Sequence, residues 1–141
     1  MVKKTKIVVD TNILISAFGW GGLEHKLIQF CTDGYFDLYL STQIMSELAS
    51  VLDYPKFRPI FQESSKQAFL NLVRRIANVR DITPYLNVIK DDPSDDRILE
   101  CALTNKVPYI ISGNNHLLRL VNYENVSIMK TAAFLSLFTE T

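Results

Sequence analysis

Three acidic residues sit at odds with the apolar pattern around them. Asp10 ends the run KIVVD and is followed by Thr11, Asn12 and a second apolar run, ILISAF. It either caps a helix there or presents a carboxylate for chemistry. Glu47 lies in STQIMSELASVL, three residues after Ile44 and four before Val51. That spacing turns it toward the apolar stripe. At the stripe's edge it packs its stem and keeps its head in water. Further in, an ionised carboxylate is costly unless it is paired or holds a metal. Asp95, in KDDPSDDRILECAL, is in phase with Ile98, Leu99, Ala102 and Leu103. Its neighbour Asp96 is rotated toward the flank, so Asp95 is the preferred site residue of the pair. Pro93 suits a first helical position, which makes Asp92 the N-cap. Asp95 also favours the helix dipole.

A fourth segment completes the set. The strand-like VPYII runs into Ser112-Gly113-Asn114-Asn115-His116. Gly and Asn make a plain β-to-α turn, and such a turn exposes the next side chain at a sheet's carboxyl edge. His116 reads as a local structural or substrate contact rather than a metal ligand, because no other His or Cys has ligand spacing. Clustered carboxylates repel one another and hold protons unless a cation compensates. Oxygen ligands suit Mg²⁺ or Mn²⁺. Such a site activates water and stabilises in-line attack on phosphorus.

The elements that must position these groups alternate. Segments 6–10, 37–40 and 107–111 are short, apolar and rich in β-formers, and read as buried parallel strands. Weaker strand signals lie at 126–129 and 79–82. Helical stripes occupy 23–32, 42–53, 64–77 and 93–105, with a short helix at 131–138. This alternation predicts a three-layer α/β/α sandwich with a central parallel sheet. Ligands of such sheets bind beyond the carboxyl ends of the strands, near a topological switch point.

Composition sets the bounds. A chain of 141 residues is about one ordinary domain, so the whole of 1–141 is expected to form one. With 48% hydrophobic and 21% charged residues, disorder and coiled coil are excluded. Lys and Arg number 15, as do Asp and Glu, so bulk charge cannot drive polyanion binding, although a local basic patch can. No apolar run reaches the roughly 18 residues of a membrane span. The apolar part of the start is only IVV, too short for a signal-peptide core. Cys31 and Cys101 match no metal or redox spacing and are expected to be buried and reduced, which suits the cytoplasm.

VVDTNILISAF, SELASVL, DDPSDDRILECAL and YIISGNNHLL, in this order, resemble the PIN-domain family of metal-dependent ribonucleases. The match is nearest to the branch of toxins from toxin–antitoxin systems and spans nearly the whole chain. The resemblance implies an α/β/α sandwich with an acidic pocket for Mg²⁺ or Mn²⁺. By motif it makes Asp10, Glu47 and Asp95 the acids, with Thr11 or Asn12 and Ser112 as hydrogen-bonding supports. It further implies an RNA substrate, a homodimer and an antitoxin peptide laid across the pocket. One position departs from the pattern. Many relatives have Asp after Ser/Thr-Gly, and this chain has Asn114, a neutral oxygen in place of the fourth acid. Asp92 is available to compensate, and Asp96 and His116 are further candidates near the site.

Other readings fit less well. A haloacid dehalogenase-type phosphatase needs an acid where Asn12 stands. A dinucleotide-binding fold needs a Gly-rich fingerprint that DTNILIS lacks, and no nucleophile elbow supports a hydrolase triad. The rival from another class is a PIN-like domain that binds RNA or protein without cleaving.

Overall fold

The computed structural model describes residues 4–89 and 92–138. Its core is a six-stranded sheet formed by β1 (Thr5–Val9), β2 (Phe36–Ser41), β3 (Ala77–Arg80), β4 (Tyr109–Ile111), β5 (Asn122–Tyr123) and β6 (Val126–Met129). The order is β3-β2-β1-β4-β6-β5, and every pairing is parallel except β5 with β6. Ile7, Val8, Val9, Leu38, Leu40, Ile110 and Ile111 are buried, as expected of strands covered by helices on both faces. Those helices are α1 (Thr11–Gly19), α2 (Gly22–Thr32), α3 (Thr42–Val51), α4 (Glu63–Ile76), α5 (Pro93–Thr104), α6 (Asn115–Leu118) and α7 (Thr131–Ser136).

The chain leaves β1 toward β2 and β3 on one side, then crosses back to place β4 on the other. The switch point therefore lies at the carboxyl end of β1, beside β4. Val9 pairs with Ile111, so Asp10 and Ser112 emerge side by side, and the Asp10 N–H donates to the Ile111 carbonyl at 3.2 Å.

The expected architecture is present, with differences at the margins. The β5–β6 hairpin adds an antiparallel edge, turning through Glu124 and Asn125, both at positive φ, as tight hairpin turns require. The strand expected at 79–82 runs two residues earlier. Cys31 and Cys101 are free and buried, and burial pushes both thiols up to about 12, so they act as packing groups. No helix among the described residues is long and apolar enough to cross a membrane.

Candidate active site

Asp10 caps the helix that follows it and also faces a cavity. Its Oδ1 accepts from the Ile13 N–H at 3.0 Å and so caps α1. Its Oδ2 accepts a hydrogen bond from Ser112 Oγ. Ser112 is fully buried, and its Oγ in turn accepts from the Asn114 N–H at 2.9 Å. The hydroxyl thus ties the end of β1 to the turn after β4. Asp92 caps α5, accepting from Ser94 N–H and Oγ at 3.1 and 2.7 Å. One turn on, Asp95 faces inward and is only 5% exposed.

Asp10, Glu47, Asp92, Asp95 and Asn114 line one cavity of about 190 Å³, with Thr11, Asn12 and Lys56 also on its wall. Glu47 is half-buried, and no hydrogen bond or ion pair reaches its carboxylate among the described residues.

Asn114 does something the sequence did not disclose. Its Oδ1 accepts from the His116 N–H at 2.8 Å, capping α6. A backbone N–H is only a donor, so this bond fixes which end of the amide is oxygen. Nδ2 then donates to both Asp95 oxygens at 3.1 Å. The expected neutral oxygen ligand is thus turned away from the acids, and an amide donor faces Asp95 instead. His116 Nδ1 lies 3.5 Å from Asp95 Oδ2. One ligand atom each from Asp92, Asp95 and His116 falls within 4.8 Å of the others. That cluster overlaps the acid set carried by the motifs only at Asp95.

Asp96 is not on the cavity wall. Its Oδ1 accepts from the Val88 and Ile89 N–H groups, each at 3.0 Å. Glu100, overlooked in the sequence, acts beside it. Its Oε2 accepts from the Tyr85 and Leu86 N–H groups at 2.6 Å each, and Arg97 forks onto both its oxygens at 2.8 and 2.9 Å. These two buried acids hold the irregular segment that leads toward Asp92. Their i, i+4 spacing was the available signal, because like charges so placed repel on a solvated helix face.

The electrostatics suit a hard cation. Burial raises the Asp10 carboxyl above its ordinary value, against the lowering effect of Ser112 and nearby backbone N–H groups. Asp95 is pushed up to about 6, first by burial and then by the Asp92 charge, with His116 pulling the other way. Oxygen donors that are uncomfortable as bare anions fit a divalent ion.

A stability test follows from the sign of these shifts. An acid held above its ordinary value takes up protons in the folded state before the unfolded chain does. The metal-free protein therefore loses stability as pH rises from about 3.8 to about 6, and Asp10 acts in the same direction. With chelator, melting several degrees higher at pH 5 than at pH 7.5 is expected, with a smaller difference in Asp95→Asn. Mn²⁺ should close the gap at pH 7.5 by binding the folded state. Melting in chelator that is higher at pH 7.5, or a difference untouched by Asp95→Asn, contradicts this account.

The PIN domain family model matches residues 6–116. The chain belongs to the PIN-domain family. Two crystal structures are similar in fold at low sequence identity. VapBC2 from Rickettsia felis, bound to a DNA fragment from their promoter, superposes with a TM-score of 0.62 at 12% identity, covering 88% of this chain and 97% of that one. PAE2754 from Pyrobaculum aerophilum gives 0.61 at 12% identity, covering 96% and 91%. No curated protein matches the sequence. PIN nucleases as a class use divalent metal ions, and the acidic cavity lies within the matched span.

Proposed function

We infer that this PIN domain is a Mg²⁺- or Mn²⁺-dependent endoribonuclease, acting in the cytoplasm as the toxin of a toxin–antitoxin pair. The observation that carries the reading is the convergence of Asp10, Glu47, Asp92 and Asp95 on one cavity at the carboxyl edge of the sheet. Asp10, Glu47 and Asp95 would hold the ion, with Asp92 and His116 at hand. A bound divalent cation supplies charge compensation for the phosphodiester and lowers the pKa of water. Lys56, on the cavity wall, meets a phosphate oxygen. Glu47, whose carboxylate has no protein partner among the described residues, is free to face the ion and to orient the attacking water. Asp10 and Ser112 keep both strand ends in register. The likeness to VapBC2 supports an antitoxin partner, and the family resemblance supports a homodimer.

The deciding assay is cleavage of single-stranded RNA by purified protein with Mg²⁺ or Mn²⁺. Cleavage that stops with chelator supports the reading. RNA binding without metal-dependent cleavage favours the non-cleaving alternative, toward which the Asn114–Asp95 pairing points.

Asn114 supplies its own test. Asp at this position keeps an acceptor for the His116 N–H but exchanges two donated hydrogen bonds for a second carboxylate against Asp95. Asn114→Asp should tighten Mn²⁺ binding about tenfold, since hard cations follow charge and oxygen count. It should also lower the melting temperature of the metal-free protein. Asn115→Asp, on an exposed side chain, should change little. Calorimetric titration of both variants decides it: unchanged affinity in Asn114→Asp removes this residue from the site.

A further inference from the structure

We propose that Trp20, backed by the buried ring of Phe57 and flanked by Lys56, forms a base-stacking subsite for single-stranded RNA that adjoins the acidic cavity. The proposal deepens the nuclease reading and rests on it for the path of the strand.

A second cavity, of about 320 Å³, is lined by Asn12, Ile15, Ser16, Trp20, Lys56 and Phe57. Asn12, Lys56 and Phe57 also line the acidic cavity, so the two form one continuous trough. They differ in charge. The first holds four carboxylates, whereas among the described residues Lys56 is the only charged one lining the second. A phosphate repelled by the bare acids is attracted there.

The indole of Trp20 is open to receive a base, and Phe57, buried beneath it, is its support. Trp20 is 64% exposed although it is the largest apolar side chain available to the core. Its ring meets Phe57 at 71° with centroids 6.2 Å apart, a corner that leaves indole surface open. Lys56 Nζ lies 5.0 Å from the Phe57 ring centroid, next to that corner. The support is fixed, because the Trp20 and Gly21 N–H groups both donate to the Ser16 carbonyl, at 3.0 and 3.1 Å. The left-handed backbone at Gly21 and Gly22 then turns the chain away, and a Cβ at either would meet nothing within 4 Å. The indole thus stands on the end of α1, in open space.

The nine residues of α1 separate its N-cap Asp10 from its C-cap Trp20, about 15 Å along the helix axis. A strand whose scissile phosphate sits at the acids passes Asn12 and Ser16 on one helical face before reaching the indole. Aromatic stacking serves any base, so the subsite confers affinity for unpaired RNA and not sequence preference. The lining surface is mostly apolar, as a stacking platform needs, with Asn12, Ser16 and Lys56 as its polar groups.

Trp20 is the only tryptophan, so its own fluorescence reports the subsite. In chelator, where no cleavage occurs, a labelled octauridylate should bind the wild-type protein and quench that emission. Trp20→Ala should weaken binding about tenfold or more, the range for losing one stacked base, and Trp20→Phe should stay within about threefold of wild type. Lys56→Ala should reduce the salt dependence of binding by about one phosphate contact. Equal affinity of Trp20→Ala and wild type overturns the subsite, as does unquenched emission at saturation or failure of the oligonucleotide to bind. A dimer lost in Trp20→Ala with unchanged RNA affinity gives the surface to protein contact and overturns it too. Cleavage with Mn²⁺ is read separately, so the nuclease reading can stand when the subsite falls.

Discussion

Asp10→Asn should lower metal-dependent RNA cleavage by about 100-fold or more while leaving the metal-free fold at least as stable as wild type. Both halves come from the same carboxylate. Asn keeps an oxygen for the Ile13 N–H that caps α1. Its amide can donate to Ser112 Oγ, reversing a bond in which that hydroxyl now donates. The capping and the strand-to-strand tie therefore survive. Burial is the largest influence on the Asp10 carboxyl and disfavours its charge, so removing that charge relieves the empty pocket. The cation loses a charged ligand at the same time. Altering groups that merely support metal ligands costs about 10- to 100-fold, and a direct ligand should cost no less. Initial cleavage rates at saturating Mn²⁺ and melting in chelator should be measured on the same preparations. Wild-type cleavage by Asp10→Asn would mean that Asp10 is outside the reacting centre or that a contaminating nuclease is present. Lost cleavage with a lower melting temperature would mean that the residue is chiefly a cap.

The positions of Asp10, Glu47 and Asp95 were legible because each breaks a local rule that the sequence states plainly. An acid closes an apolar strand, and two acids share phase with apolar stripes. Parallel strands then bring their carboxyl ends to one edge, and the cavity follows from topology. What was not legible depends on partners outside regular elements. Asp96 and Glu100 are satisfied by N–H groups of the segment from Tyr85 to Ile89, which has no periodicity to place it. The turn at Glu124 and Asn125 lacks the glycine that usually marks a tight hairpin, so β5 went unread. Asn114 was readable as a departure but not in orientation, because the choice between its oxygen and its amide rests on one backbone N–H at His116.

Glu100→Ala should be the most destabilising of the substitutions considered, by about 3–5 kcal/mol, the range for breaking a buried charge pair. The side chain is 2% exposed, three hydrogen bonds from Tyr85, Leu86 and Arg97 converge on its Oε2, and Arg97 Nε lies 2.8 Å from Oε1 as an ion pair. Alanine strands two backbone donors and, among the described residues, leaves Arg97 with the Leu86 carbonyl at 2.9 Å. Such a loss corresponds to roughly 10 °C or more in melting temperature for a protein of this size. Glu100→Gln keeps one acceptor and should fall between. Asp53→Ala, which removes an exposed bridge to Lys66, should barely move the transition. Urea unfolding with unchanged slope gives the comparison. A Glu100→Ala midpoint close to that of Asp53→Ala would show that the segment holds itself. The damage should also be directional. The loosened segment leads into Asp92 but not into Asp10, which is held by Ile13 and Ser112. Well below its melting temperature, Glu100→Ala should therefore bind Mn²⁺ more weakly yet keep much of its cleavage rate at saturating metal. Asp10→Asn should show the reverse, a sound fold with little cleavage, and that opposition separates a residue that builds the site from one that works in it.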